Sequence, residues 1–193
     1  MFKRSLALLL LASSCCAWAS DRLDGIPLVW KPKTGLGGIH ASELANVKVE
    51  FLAFKDVRKN PRVIAQNREK KNEPRSVTTR DDVGAFVRKH VKNSLAAAGL
   101  NVVESDGEVK IGAEVQSFWV NETNRYYANV KLGVTVINRA GKVLWTGVAS
   151  GSAKHMGRSY KAENYYEALS DAVLRATHEL ATNLGFRAAL KNH

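Results

Sequence analysis

Apolar and polar residues alternate over residues 109–120. Because successive side chains of a β-strand point to opposite faces, this period predicts a long strand with one face in the core. The turn-forming run 121–125 follows, and residues 126–136 alternate again. After a second turn at 138–141, a third alternating segment covers 143–149. Consecutive strands joined by short turns pair with their neighbours, so the three segments predict an antiparallel meander.

Two segments repeat apolar residues every three or four positions, which is typical of amphipathic helices. The first covers 83–95, after the acidic pair at 81–82, and Gly99 supplies the residue type that ends helices in a left-handed conformation. The second covers 166–184 and ends before Gly185. We therefore expect two helices, each with one apolar stripe to bury.

Apolar residues at 47–54 and 100–103 predict two more strands. The predicted order is β-α-β-β-β-β-α, which favours a two-layer α+β domain with both helices on one face of the meander sheet. Residues 46–186 would form this single domain. We expect an extended Gly- and Pro-containing segment at 20–45 before it and a short C-terminal tail at 187–193 after it.

The first nineteen residues have the order of an export signal peptide. A charged start with Lys3 and Arg4 precedes an apolar run at 6–12 and small residues that end at Ala19. The apolar run is shorter than the about 20 residues that cross a bilayer, and no later segment approaches that length. The pattern predicts a chain exported to the periplasm or the periplasmic face of the outer membrane, without a transmembrane helix after the leader.

The cleavage site has two interpretations. Small residues at Ala17 and Ala19 suit a signal peptidase that cuts before Ser20, whereas residues 11–15 resemble a lipobox, in which Cys15 would be acylated. Cys16 is the other cysteine of the chain, so the mature domain is expected to contain no disulfide, thiolate metal site or cysteine nucleophile.

Positive charge is the strongest compositional bias. The chain has a net charge of +11, and loss of Lys3 and Arg4 with the leader would leave +9. A basic exported protein favours anionic partners of the envelope, namely glycolipid, phospholipid, peptidoglycan or an acidic protein face. Nucleic acid, the usual partner of basic cytosolic proteins, is excluded here by the export signal.

Residues 55–80, the basic segment, are predicted to be a long polar loop with an excess of six positive charges. Long loops are often either functional or disordered, so the segment has two interpretations: a solvated mobile insertion, or an electrostatic docking surface. Asp56 and Arg58 at its start are predicted to form a structural ion pair or turn clamp. The candidate binding residues are Arg58, Lys59, Arg62, Arg68, Lys70, Lys71 and Arg75.

No pattern of His, Cys and carboxylate residues matches a catalytic triad, a catalytic carboxylate pair or metal-ligand spacing. We therefore predict no catalytic residue, no metal and no cofactor. His90 is expected to lie at the edge of a helical stripe without a ligand role. The run 151–157 is expected to be a flexible link, with no base placed to activate Ser150 or Ser152.

Two short motifs resemble a known family. Asp56-x-Arg58 follows the first predicted strand, and Leu95-x-x-x-Gly99 ends the first predicted helix. With the long loop, the paired long strands and the Ala-rich last helix, the chain resembles the YajG-like envelope lipoproteins over roughly residues 45–184. The resemblance implies a small non-enzymatic α+β domain of the cell envelope and does not account for the basic segment.

The sequence thus predicts a non-enzymatic accessory protein that docks on an anionic envelope component through the basic segment. An alternative is a subunit of a larger envelope assembly, such as a transport or flagellar one, whose sheet edge receives another chain. A hydrolase acting on cell-wall or lipid material is less favoured, because no activated nucleophile or acid–base pair is visible.

Overall fold

A computed structural model describes residues 22–35, 37, 41–70, 72–157 and 159–192. The leader, with Cys15 and Cys16, and Lys71 lie outside the described residues. The strands are β1 (Val49–Asp56), β2 (Val63–Asn67), β3 (Arg75–Thr78), β4 (Val102–Val103), β5 (Val109–Glu122), β6 (Arg125–Asn138) and β7 (Val143–Met156), and the helices are α1 (Val83–Ala97), α2 (Ala162–Thr182) and α3 (Leu184–Lys191).

The strand β5 is the centre of one seven-stranded sheet. It pairs antiparallel with β6 along its whole length, and β6 pairs antiparallel with β7, which confirms the predicted meander. Its other edge pairs in parallel with β1 over the first half and with β2 near the end. The parallel pairing arises because α1 carries the chain from one end of the sheet back to the other.

The helices α1 and α2 lie side by side on one face of this sheet, as the sequence predicted. The carboxylate of Asp82 caps α1 by accepting from the Ala85 N–H at 3.0 Å. The two helices and the inner face of the sheet share one core, since α2 covers β6 and β7 while α1 covers β1. The predicted α+β two-layer fold is confirmed.

The basic segment is not the structureless loop that its polarity suggested. It contains β2 and β3, which pair with each other and bury Ile64, Ala65 and Val77. These apolar residues are few, but they are enough to dock a short hairpin beside β5.

Two further expectations are corrected near the C-terminus. Residues 151–156 continue β7 and do not form a flexible link, because Gly151 and Ala153 are buried beneath α2. The expected tail from residue 187 is mostly helical, since Asn183 accepts from the Phe186 N–H and starts α3. Phe186 and Leu190 anchor this helix in the core.

The N-terminal segment is extended and follows the helix layer. Ile26 forms a parallel bridge to Thr79, next to β3. Further along, the Lys31 N–H donates to Ser170 Oγ, and the N–H groups of Lys33 and Thr34 donate to the Asp171 carboxylate. The segment therefore ties the sheet edge to α2.

Candidate docking surface

The Asp56–Arg58 motif forms a two-point ion pair at the end of β1. Arg58 Nε donates to Asp56 Oδ1 at 2.8 Å, and an Arg58 Nη donates to Oδ2 at 2.7 Å. The same guanidinium donates to the backbone carbonyls of Val63 and Phe118 at 2.9 and 3.0 Å. Arg58 thereby fastens the start of β2 to the middle of β5.

Arg58 is accordingly poorly placed to bind a partner, with its side chain only 9% exposed. Arg75 is half-buried, and its guanidinium carbon lies 3.8 Å from the centroid of the Tyr160 ring. Lys71 lies outside the described residues. The exposed members of the candidate set are Lys59, Arg62, Arg68 and Lys70.

Most of these cations lack a neutralising neighbour within the described ranges. No described carboxylate lies within 4.0 Å of the side-chain nitrogens of Lys59, Arg62, Arg68 or Arg75. Lys70 faces Glu73 at 3.9 Å, and both side chains are open to solvent. An exposed pair of this kind contributes little to stability, so the charges remain available to an external anion.

The candidate binding residues lie at two separate positions on the sheet. Lys59 and Arg62 lie beside the gap between β1 and β2, where Arg62 O accepts from Thr79 N–H. Arg68 and Arg75 lie at the far end of the β2–β3 hairpin, because Asn67 is aligned with both Arg75 and Glu122.

That far end also carries cations that sequence reasoning missed. Arg125 begins β6 directly after the β5–β6 turn, and its neighbour across the ladder is Met156, the last residue of β7. Arg22 precedes Leu23, whose carbonyl accepts from the Thr78 N–H of β3. We call the set Arg22, Arg68, Lys70, Arg75 and Arg125 the basic end. The grouping follows from the pairing of β2 with β5 and of residue 23 with β3, which have no local sequence signal.

A cleft of about 300 Å³ opens within the basic end. Arg22, Arg75 and Tyr160 line it, together with the carboxylate of Asp24, which binds the Thr78 hydroxyl. The Tyr160 hydroxyl in turn accepts from the Leu23 N–H at 3.3 Å. The cleft joins the start of the described chain to β3.

Buried acidic residues have structural partners. Glu122 is fully buried, and its carboxylate accepts from the Tyr160 N–H and the Tyr165 hydroxyl. Burial of Tyr165, with a smaller contribution from its hydrogen bond to Glu122, raises the pKa of Tyr165 above its ordinary value. Asp171 Oδ2 lies 2.9 Å from His155 Nε2, while its Oδ1 accepts from the backbone N–H groups of Lys33 and Thr34. The His155–Asp171 pair therefore fastens the end of β7 to α2 and the N-terminal segment.

The helix-free face of the sheet holds a trough of about 650 Å³. Gly112 and Gly133, which have no side chain, line the trough together with the apolar side chains of Leu52 and Val148. Lys55 and Glu114 are its charged lining residues. Histidine and cysteine, the usual nucleophile activators and soft metal ligands, do not line it.

Two features are absent from the described ranges. No helix in them is long and apolar enough to cross a bilayer. No group of three or more His, Cys, Asp or Glu side chains in them is arranged to hold a metal ion.

Over residues 40–191 the chain matches the model of a protein family described as uncharacterized lipoprotein. This match confirms the resemblance to envelope lipoproteins at the level of the family. No curated protein sequence matches the chain.

Several solved structures are similar. Protein XCC0632 from Xanthomonas campestris is 12% identical, with 86% of this chain and 92% of that chain covered and a TM-score of 0.53. The PelC dodecamer from Paraburkholderia phytofirmans is 14% identical, over 68% and 89%, with a TM-score of 0.42. Lipoprotein GNA1162 from Neisseria meningitidis is 11% identical, over 56% and 83%, with a TM-score of 0.36. At this identity the likeness to XCC0632 shows a shared fold alone.

Proposed function

Because this chain belongs to the family of uncharacterized lipoproteins, we propose that it is an envelope protein acylated at Cys15 that docks on an anionic envelope component without catalysing a reaction. In this proposal the domain faces the periplasm and serves an accessory role. The acyl chain supplies attachment, and the basic segment supplies contact with the anionic partner.

The observation that supports docking is the set of cations without a described carboxylate neighbour. Lys59, Arg62 and Arg68 are exposed in a segment whose backbone is held by β2 and β3. Because the hairpin is already ordered, its cations lose less conformational entropy on binding a partner than cations on a mobile loop would lose. Arg58 takes no part in docking, since its guanidinium is used internally.

Neutralising Arg68, Lys70, Lys71 and Arg75 together as Gln tests the docking role. We expect the variant to lose salt-sensitive binding to isolated envelope fractions, since attraction between exposed charges is screened by salt. Binding is measured by sedimentation with outer membranes, peptidoglycan and glycolipid at low and high salt. A docking role of residues 68–75 is contradicted if the fourfold variant binds each of them as the parent does.

A matched control removes four exposed cations elsewhere, at Lys48, Lys89, Arg139 and Lys142. This control has the same net charge as the test variant. Binding should persist in the control, because the charges of the basic segment remain. Equal loss in both variants would indicate a response to net charge alone and would contradict a localised docking surface.

Acylation has its own test. The intact mass of the protein purified from membranes should equal a chain that begins at Cys15 and carries lipid. A mass that corresponds to a chain beginning at Ser20 would contradict the anchor and leave the docking role standing.

A second candidate function, as a subunit of a larger assembly, is favoured by the outer edge of β7. This strand pairs with β6 and with no other described strand. Its Ser150 N–H donates to Glu179 Oε2 at 2.8 Å, which occupies one outward donor and leaves the rest of the edge open. An open edge can accept a strand from another chain.

Substitution of Ser152 by proline tests whether the edge of β7 pairs with another chain. Residues 150 and 152 have the same orientation along the strand, so Ser152→Pro removes an outward N–H and preserves the ladder to β6. If β7 receives a partner strand, the proline variant should lose a complex that survives high salt, whereas Ser152→Ala should retain it. Retention by both variants would exclude edge pairing.

A further inference from the structure

We infer that the basic end, together with Met156, is a bilayer-contacting surface that seats the domain on the anionic phospholipid membrane holding its own anchor. The inference rests on the proposed function and makes it specific: the anionic partner is the phospholipid headgroup layer. It also adds Arg22, Arg125 and Met156 to the docking residues.

The path of the N-terminal segment gives the first argument. Thr78 N–H donates to Leu23 O at 3.0 Å, and Ile26 N–H donates to Thr78 O at 2.9 Å, so the segment runs beside β3. Arg22 consequently lies next to Arg75, in the same cleft. Arg22 follows Cys15 by seven positions, and seven steps of extended chain span at most about 25 Å. An acylated Cys15 therefore keeps the basic end close to the bilayer.

Charge gives the second argument. The β2–β3 turn and the β5–β6 turn reach the same end of the sheet, because Arg68 N–H donates to Glu122 O at 2.7 Å. Four described acidic residues also lie there: Asp24 is hydrogen-bonded to Thr78, Glu73 faces Lys70, Glu69 follows Arg68, and Glu122 is buried. The five cations exceed them, and cations near an anionic leaflet are attracted within about a Debye length.

An exposed apolar side chain gives the third argument. Met156 is 75% exposed at the end of β7, directly across the ladder from Arg125. Tyr127, 40% exposed, lies nearby on β6, with Lys154 Nζ 5.4 Å from its ring centroid. Apolar and aromatic residues beside cations are typical of surfaces that enter the membrane interface. A hydrated polar network such as peptidoglycan offers no apolar layer for Met156.

The two ends of β7 offer a matched pair of probe sites. Met156 is at the basic end, and Val143, 54% exposed, is at the opposite end of the same strand. Met156→Cys and Val143→Cys are each made in a Cys16→Ser background and labelled with an environment-sensitive fluorophore. The mature, purified proteins are then reconstituted with vesicles of phosphatidylglycerol and phosphatidylethanolamine, or of phosphatidylcholine alone.

We expect the emission of the probe at 156 to shift to shorter wavelength on the anionic vesicles only, and to return at high salt. The emission of the probe at 143 should remain unchanged on both kinds of vesicle. Equal responses at 143 and 156, or none at 156, would overturn the inference. Should the protein nevertheless bind glycolipid or peptidoglycan in a salt-sensitive way, the proposed function would survive and only the bilayer surface would be lost. Failure to bind any anionic component would remove both.

Charge variants outside the basic segment give an independent check. Each cation near an anionic surface strengthens binding about fivefold, so Arg22→Gln with Arg125→Gln should lower the docked-to-undocked ratio about 25-fold. The control pair Arg139→Gln with Lys142→Gln, in the β6–β7 turn at the opposite end, should leave the ratio unchanged. Equal losses in the two pairs would overturn the inference.

Discussion

The rings of Trp30 and His90 are stacked face to face, with their centroids 4.0 Å apart and their planes inclined by 4°. Phe86 meets the same imidazole edge-on at 4.6 Å. Trp30 belongs to the N-terminal segment and His90 to α1, so the stack fastens that segment to the helix layer. His90 is 9% exposed and serves as a packing residue, as its position beside the apolar stripe indicated.

This environment makes stability depend on pH. Burial, with a smaller contribution from the charge of Lys89, lowers the pKa of His90 from 6.5 to about 4. Between those values the unfolded chain binds a proton that the folded chain does not, so stability falls as pH decreases through this window. We expect a loss of about 2 kcal/mol from this group between pH 7.5 and pH 5.

The measurement is urea unfolding at the two pH values. His90→Phe keeps an aromatic ring but cannot titrate, so its stability should fall less than that of the parent. His178→Phe, at an exposed position of α2, should show the full parental decrease. Identical decreases in His90→Phe and the parent would show that His90 does not titrate in this way.

Removing the guanidinium of Arg58 should destabilise the fold. Arg58→Ala leaves the largely buried carboxylate of Asp56 without its partner and two carbonyls of β2 and β5 without a donor. Breaking a buried pair from one side costs about 3 kcal/mol or more. Arg58→Lys should restore little of this stability, because an ammonium cannot make the two parallel hydrogen bonds that the guanidinium makes to the Asp56 carboxylate.

Chemical denaturation checks this prediction, with the exposed neighbour variant Lys59→Ala as the control. The control should stay within about 0.5 kcal/mol of the parent. A stable Arg58→Ala protein that fails to bind anionic envelope material would reverse the assignment and make Arg58 a docking residue.

The sequence was informative wherever the buried pattern is local. The period of two over 109–136 and the stripe over 83–95 each arise within one element, so β5, β6 and α1 could be predicted from spacing alone. The apolar stripe predicted for the second helix begins at Tyr166, whereas the buried face of α2 begins one residue earlier, at Tyr165. Tyr165 is fully buried there, while Tyr166 is half-buried, because the aromatic cluster around Glu122 draws the first turn inward.

The rest depended on contacts between distant segments. The strands β2 and β3 have only five and four residues and contain Gln, Asn, Arg and Ser, so their pattern is too short to stand out. The grouping of Arg22 with Arg125 follows from the pairing of β2 with the last residues of β5 and of residue 23 with β3. Such pairings are set by tertiary packing and leave no periodic trace in the sequence.

Tyr165 is expected to contribute to stability through one buried hydrogen bond. Its hydroxyl donates to Glu122, whose carboxylate is fully buried and otherwise accepts from the Tyr160 N–H at 3.1 Å. Tyr165→Phe removes a donor from this carboxylate at almost constant volume and should cost about 2 kcal/mol in urea unfolding. Tyr166→Phe, at the half-buried neighbour, should be close to neutral. Equal, small effects in both would mean that Glu122 does not need the Tyr165 hydroxyl.

The contact of β7 with α2 requires a residue without a side chain at position 151. A Cβ on Gly151 would lie 2.0 Å from Ala172 O and 2.3 Å from Ala176 N, both in the backbone of α2. Helix and strand backbones cannot yield as a flexible side chain would, so Gly151→Ala should separate the two elements and cost about 3 kcal/mol. Thermal unfolding measures this loss. Gly35→Ala is the matched control, since its Cβ would meet no atom within 4 Å, and it should unfold near the parental temperature. If Gly151→Ala unfolds there too, α2 cannot lie directly on β7, and the placement of residues 151–156 beneath the helix would be wrong.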